Sequence, residues 1–254
     1  MTVALGETTK KRTHSGIRIG VLVPFTNTNL EPDLIEICPA NSTLHFQRTG
    51  GYDADAIPDK DQMKQLGVFD ISHDLEMIKG AQPNVVLYGC TSATLTHGQS
   101  FDRDLAIKIK NKTGASTFTA AGSLVVGLKA LNVQRIGFAS PYVSNVSDKA
   151  AAFLEESGIT VVSCAEVGPD LGCYGQGLLS PQEVYQLAMK ANNPNAEAIV
   201  LSCTDMRAME VIEEVEKDLG KPVVTSNQAM MFCVYKKFKL PQNIHCPGHL
   251  FNRI

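Results

Sequence analysis

Two stretches of this 254-residue chain, VVLYGCTSAT (85–94) and AIVLSCTDMR (198–207), each run an apolar segment of strand length into Cys-Thr. Cys90 and Cys203 are thereby a matched pair. A thiol at the carboxyl end of a parallel strand meets the first turn of the following helix, whose free N–H groups and positive dipole end favour the thiolate. Two such sulfurs brought to one cleft from opposite sides could move protons, or add to an activated carbon, with no metal or organic cofactor. Their surroundings differ. Thr-Ser-Ala after Cys90 leaves room for a covalent adduct, whereas Asp205, two residues after Cys203, could hold a proton nearby and raise that thiol's pKa. Cys90 is expected to be the nucleophile.

Four strand ends supply the other candidate groups: Pro24 to Asn29, Gly89 to Thr94, Ser140 to Asn145 and Ser202 to Arg207. They are rich in small hydroxyl and amide side chains and poor in Lys, His and Glu, a composition suited to holding carboxylates by neutral donors. Thr91, Ser92 and Thr204 could each cap a helix start while nearby N–H groups form an anion nest, and capping alone is the rival role for Thr204. The Tyr142 phenol could donate to a carboxylate or enolate-like oxygen, or its ring could pack at a loop. Asn27 could orient substrate or thiolate, or form a turn. Arg207 could pair bidentately with a carboxylate, stabilise the thiolate, or lie on the surface. The expected ligand-binding set is therefore Asn27, Thr91, Ser92, Tyr142, Thr204 and Arg207. His73 and His97 lack the orienting third group of a Cys-His hydrolase. The glycines around Tyr174 to Gly177 lack the strand-to-helix setting of a dinucleotide fingerprint and read as a mobile cleft loop.

The cysteine repeat is part of a longer one. IRIGVLVPF (17–25) is echoed by QRIGFASPY (134–142), Gly20 matching Gly137 and Pro24 matching Pro141 at the same offset, which the cysteines share to within a few residues. Apolar runs predict strands near 17–24, 43–49, 84–89, 116–119, 135–140, 159–165, 197–202 and 222–226. Helical patterns fall near 29–37, 61–80, 101–113, 121–131, 145–157, 181–191, 208–220 and 227–239. Such alternation implies an α/β protein of two similar Rossmann-like lobes, each with a parallel sheet, related by a pseudo-two-fold axis and holding the site between them. The expected divisions are a flexible arm over residues 1–16, a first lobe over 17–116 together with 226–254, and a second lobe over 117–225. The final helix, NQAMMFCVYKKF, is expected to return to the first lobe.

A net charge of −3 provides no global field for nucleic acid or an anionic membrane. No apolar run approaches the ~20 residues of a membrane span, and the polar first 16 residues do not resemble a signal peptide, so a cytoplasmic location is expected. Seven cysteines without regular spacing fit reduced thiols. Cys164 and Cys233 lie in apolar stretches and read as small core residues, and Cys38, Cys173 and Cys246 carry no further signal. HCPGH, His245 to His249, has metal-binding donors but no second half of a closed site, so it reads as a tail folding back and no metal is expected. The expected partner is a small-molecule dicarboxylate, and a homo-oligomer, dimer or tetramer, is expected.

The set VPFTNTNLEPD, YGCTSAT, GFASPYVSNV and LSCTDMR resembles the maleate cis-trans isomerase branch of the aspartate/glutamate racemase superfamily, which also contains arylmalonate decarboxylases and hydantoin racemases. The similarity covers nearly all of residues 17–240. It implies the two-lobed fold, matches Asn27, Cys90, Tyr142 and Cys203 to functional positions, and makes the first cysteine the nucleophile and the second the acid/base. Decarboxylases of the superfamily typically lack the first cysteine. One departure stands out: isomerases carry an asparagine in the loop corresponding roughly to 170–177, where this chain has Asp-Leu-Gly-Cys-Tyr-Gly-Gln-Gly. The resemblance thus implies a cofactor-independent isomerase of the maleate-to-fumarate type. A two-cysteine amino-acid or hydantoin racemase is the nearest rival, an arylmalonate-type decarboxylase a weaker one, and a ligand-binding sensor without reactive thiols comes from a different class.

Overall fold

The computed structural model describes residues 16–50, 70–169, 171–242 and 245–254. All but the last residue of the arm expected over 1–16, and residues 61–69 of the helix expected over 61–80, lie outside them, while the second half of that helix is found as Ser72–Lys79. Strands β1 (Ile17–Pro24), β2 (Ser42–Thr49), β3 (Val85–Tyr88) and β4 (Ser116–Thr119) form one parallel sheet in the order β2-β1-β3-β4. Strands β5 (Arg135–Ser140), β6 (Thr160–Glu166), β7 (Ala198–Leu201) and β8 (Val223–Thr225) form a second, parallel, in the order β6-β5-β7-β8. The two orders are the same pattern, so the repeat read along the chain is a repeat of topology. β4 pairs with β3, which places the expected boundary at 116/117 inside a first-sheet strand; the sheets divide after Thr119.

The central strands β3 and β7 are buried from end to end, which is why they read as uninterrupted apolar runs. Helices α1 (Leu30–Glu36), α2 (Ser72–Lys79), α3 (Thr91–Leu95), α4 (Gly98–Thr113) and α5 (Ala120–Ala130) accompany the first sheet, and α6 (Ser144–Glu155), α7 (Gly172–Gly175), α8 (Pro181–Ala191), α9 (Ile212–Leu219) and α10 (Ser226–Phe238) the second. Several have sequence-encoded ends. α8 opens with a Ser180/Glu183 capping box and Pro181, and α10 with a Thr225/Gln228 box. Gly20 and Gly137, matched in the repeat, permit close approach: a Cβ on Gly137 would fall on the Ala191 carbonyl at the end of α8, and one on Gly20 would lie 2.9 Å from Ile78.

The lobes do not keep separate cores. Ile19, Val21 and Leu87 of the first sheet and Ile136, Phe138 and Val200 of the second belong to one continuous apolar cluster. It passes through α5 and α10, which pack against each other. α10 also reaches α1, where the Tyr235 hydroxyl donates to the Ile37 carbonyl at 3.1 Å. A smaller cluster, including Leu22, Leu75, Val86 and Leu105, fills the other face of the first sheet under α2 and α4. Cys233 is buried as expected, but Cys164, on edge strand β6, is exposed. The C-terminal tail folds back: Leu250 and Phe251 are buried, and His249 donates its backbone N–H to Glu216 while its ring meets the same carboxylate at 2.7 Å. Among the described residues no helix is long and apolar enough to cross a membrane.

Candidate active site

Cys90 and Cys203 each stand two residues beyond the last residue of an equivalent central strand, Tyr88 of β3 and Leu201 of β7. The local backbones then diverge. Cys90 is the N-cap of the five-residue helix α3, its sulfur accepting the Ala93 N–H and lying 3.8 Å from the Ser92 hydroxyl. After Cys203 the chain makes a turn, and α9 begins only at Ile212. The Cys203 sulfur accepts the Asp205 N–H at 3.4 Å and the Tyr142 hydroxyl, and donates its own proton to Gln176 Oε1 at 3.3 Å.

The expectation that strand-end placement favours thiolate is reversed here. Burial pushes the Cys90 thiol up and outweighs the Ala93 and Ser92 donors. Cys203, only 5% exposed, is pushed up to about 12, first by burial, then by the Asp205 carboxylate and by Cys90, against the Asp205 N–H and the Tyr142 hydroxyl. Asp205 thus acts on Cys203 in the direction its place in the sequence suggested. Buried Tyr142 is held well above the usual phenol range, chiefly by desolvation and next by Cys203 and Cys90. Each of these effects requires proximity, so the two thiols and the phenol share one space.

Three residues expected on a ligand are held in the frame of the protein. Asn27 Nδ2 donates to Thr204 Oγ1 at 3.0 Å, and Thr204 donates onward to the Gly89 carbonyl at 2.8 Å. Asn27 Oδ1 accepts the N–H groups of Asn29 and Leu30 where α1 begins. Three strand ends, those of β1, β3 and β7, are thereby locked together. The Thr91 hydroxyl donates to Ser226 Oγ at 2.9 Å, tying α3 to α10. Arg207 lies partly exposed, and the Nε and Nη2 groups of its guanidinium engage Glu210 through two bonds of 2.7 and 2.9 Å. Of the expected binding set, Ser92 bonds the Cys90 sulfur and Tyr142 the Cys203 sulfur.

The structure adds Asn29, Gln176, Asn227 and Asp33 to the residues singled out from the sequence, and ties Asp205 to the first lobe. Asp205 accepts the backbone N–H groups of Thr28 (2.8 Å) and Asn29 (3.1 Å), and Asn29 Nδ2 donates to the Asp205 carbonyl (2.7 Å) and to the Gly177 carbonyl (3.2 Å). The segment expected as a mobile cleft loop is wound into α7 and a 3-10 turn, Gln176–Leu178, against the Cys203 turn. Behind the site, Asn227 Nδ2 bridges the Thr204 carbonyl and the buried Asp33 carboxylate, at 3.0 and 2.7 Å. Asn29 lies in the PFTNTN run already marked for chemistry; Gln176 lies in the loop marked as a departure from the isomerases, but nothing in the sequence singled out its side chain. Among the described residues no cluster of three His, Cys, Asp or Glu side chains could hold a metal ion.

The sequence profile of the arylmalonate decarboxylase family matches residues 19–251. Maleate isomerase from Nocardia farcinica is 25% identical over 252 residues, 93% of this chain and 96% of that protein. Arylmalonate decarboxylase from Bordetella bronchiseptica is 29% identical over 210 residues, 82% of each chain. The structure of a cysteine-to-serine mutant of the Nocardia farcinica maleate cis-trans isomerase, with a covalently bound succinylcysteine intermediate, matches with a TM-score of 0.83 at 23% identity, covering 94% of this chain and 99% of that one. At that identity the structural likeness speaks to the two-lobed fold. The family profile, spanning all but the ends of the chain, establishes the ancestry: this protein belongs to the arylmalonate decarboxylase family.

Proposed function

We propose that the protein is a cofactor-independent cis-trans isomerase of a small dicarboxylate, of the maleate-to-fumarate type, with Cys90 as nucleophile and Cys203 as acid and base. The observation that carries this reading is the shared space of two unequal thiols, Cys203 feeling Cys90 and Tyr142 feeling both. The Cys90 thiolate adds to one alkene carbon, the C–S bond forming as the π pair moves to the neighbouring carbon, which takes the Cys203 proton. The former double bond is now single and rotates. Cys203 withdraws the proton, the C–S bond breaks, Cys90 leaves as thiolate, and the trans isomer departs with no net change in atoms or charge. The Ala93 N–H and the Ser92 hydroxyl, already opposing burial at Cys90, are the groups that would hold its thiolate. Tyr142 and the Asp205 N–H play that part at Cys203.

The covalent succinylcysteine of the Nocardia relative supports addition chemistry. Decarboxylation, the reaction that names the family, leaves the nucleophilic role of Cys90 unexplained. Racemisation stands as the second reading, because thiols at equivalent strand ends also suit deprotonation on one face and protonation on the other. One NMR panel in deuterated buffer separates them, with maleate, aspartate, glutamate, a hydantoin and an arylmalonate as substrates. Fumarate from maleate is the expected product. Deuterium at the Cα of an amino acid or hydantoin, with maleate untouched, would replace the isomerase reading by the racemase one.

A further inference from the structure

We propose that Gln176 is the positioning residue for proton delivery, its side-chain carbonyl holding the Cys203 S–H and fixing where that proton points. The inference rests on the isomerase reading and adds to it a residue outside the pair of cysteines. A thiol has one proton to aim. Here the Cys203 sulfur receives the Asp205 N–H and the Tyr142 hydroxyl, so its lone pairs face those donors while its proton faces Gln176 Oε1, 3.3 Å away. The groups acting on this sulfur are thus Cys90, Asp205, Tyr142 and Gln176.

The mounting of Gln176 explains how one side chain on a short turn can be placed so definitely. The carbonyl of the next residue, Gly177, accepts Asn29 Nδ2 at 3.2 Å, and the same amide nitrogen donates to the Asp205 carbonyl at 2.7 Å. Asn29 follows β1 and Asp205 follows β7, so the turn is clamped by both lobes. A Cβ on Gly177 would stand 2.8 Å from Asp205 Oδ2, a spacing that glycine alone leaves open. Leu178 within the turn is 82% exposed, whereas Leu179 just after it is buried in the shared core.

The chemical consequence follows from what a carbonyl prefers to face. It bonds the neutral thiol and opposes the thiolate, so it keeps Cys203 protonated until substrate draws the proton away and favours the proton's return afterwards. An acid that must become a base within the same cycle gains from both effects.

The test uses Gln176→Leu, which removes the acceptor at similar length, and Gln176→Glu, which keeps one. In a Cys90→Ser background the alkylation rate of Cys203 by iodoacetamide at pH 8.5 reports its thiolate fraction, resolved by peptide mass spectrometry. The rate is expected to rise about tenfold with Gln176→Leu, one unit of pKa, and not to rise with Gln176→Glu. With Cys90 intact, kcat on maleate is expected to fall about tenfold in Gln176→Leu with KM little changed, and to recover in part in Gln176→Glu. An unchanged alkylation rate, or a wild-type kcat in Gln176→Leu, would overturn the proposal. A wild-type protein that makes no fumarate would instead sink the isomerase reading, while the alkylation rates still decide whether Gln176 holds the Cys203 proton.

Discussion

A thiol pushed up to about 12 stays protonated throughout the neutral range, and this gives Cys203 its part in the chemistry. A proton held that firmly can be given only to a carbon that has become strongly basic, which is the condition created once Cys90 has added to the neighbouring atom. Once the carbon has been protonated, from solvent if need be, losing the base that must take this proton back strands the adduct. In Cys203→Ser, incubation with maleate is expected to give a mass increase of one substrate on Cys90, located by peptide mapping, with kcat reduced on the order of 1000-fold. No adduct in that variant would remove the nucleophile from the mechanism. A second residue carries a pH signature. Burial lifts Asp33 from an ordinary 3.8 to about 7, against the opposing bond from Asn227 and with help from Glu210, Glu36 and Asp205. The folded state then binds more protons than the unfolded one between those values, so Asp33 contributes stability that is fully present below about pH 4 and lost as pH rises through 7. Asp33→Asn should be more stable than wild type at pH 8, by on the order of 1–3 kcal/mol, with the two converging near pH 4. Asn227 Oδ1, buried and without a partner among the described residues, stands ready to accept from the new amide. Urea unfolding at both pH values decides it.

At the scale of elements, the strands lie where their apolar runs predict, because buried parallel strands leave a contiguous signature in the chain. Helix α3 was not legible in the same way: TSATL is five residues long, shows no periodicity, and is separated from α4 by Thr96 and His97. The frame of the site was legible only as a set of polar residue types. Whether Thr204 meets a ligand or the protein depends on Asn27 and Gly89, which lie more than 100 positions away and which no local pattern connects to it. The same holds for Gln176, brought to Cys203 by the Asn29 clamp. The frame can be tested at its centre. Thr204→Val keeps the shape but leaves the Gly89 carbonyl and the Asn27 amide with one partner fewer, and should cost about 1–3 kcal/mol of stability. A free energy of unfolding equal to wild type would show that the Asn27–Thr204–Gly89 chain holds nothing together.

For the whole molecule, the continuous core through α5 and α10 makes the two sheets one cooperative unit rather than two domains on a hinge. Far- and near-ultraviolet circular dichroism should therefore report coincident urea transitions, and the segment 117–225 expressed alone should lack a cooperative transition, having lost α10 from its core. Two separated transitions would show that each lobe is stable without the other. The pairing of lobes was visible from the repeated glycines, prolines and cysteines. The sharing of their core was not, because an apolar residue in a strand carries no mark of which sheet's helices will cover it.

The identical strand order of the two sheets bears on what kind of chemistry such a molecule can support. A symmetric homodimer of either lobe would be obliged to present the same thiol, in the same surroundings, from both sides of its cleft, and would treat the two faces of a substrate alike. Joining the halves in one polypeptide lifts that obligation. Ser92 and Asp205 occupy corresponding places two residues beyond their cysteines, and a neutral hydroxyl on one side faces a carboxylate on the other. Broken symmetry there, and in the backbone that follows each cysteine, lets a single cleft dedicate one sulfur to carbon and the other to hydrogen.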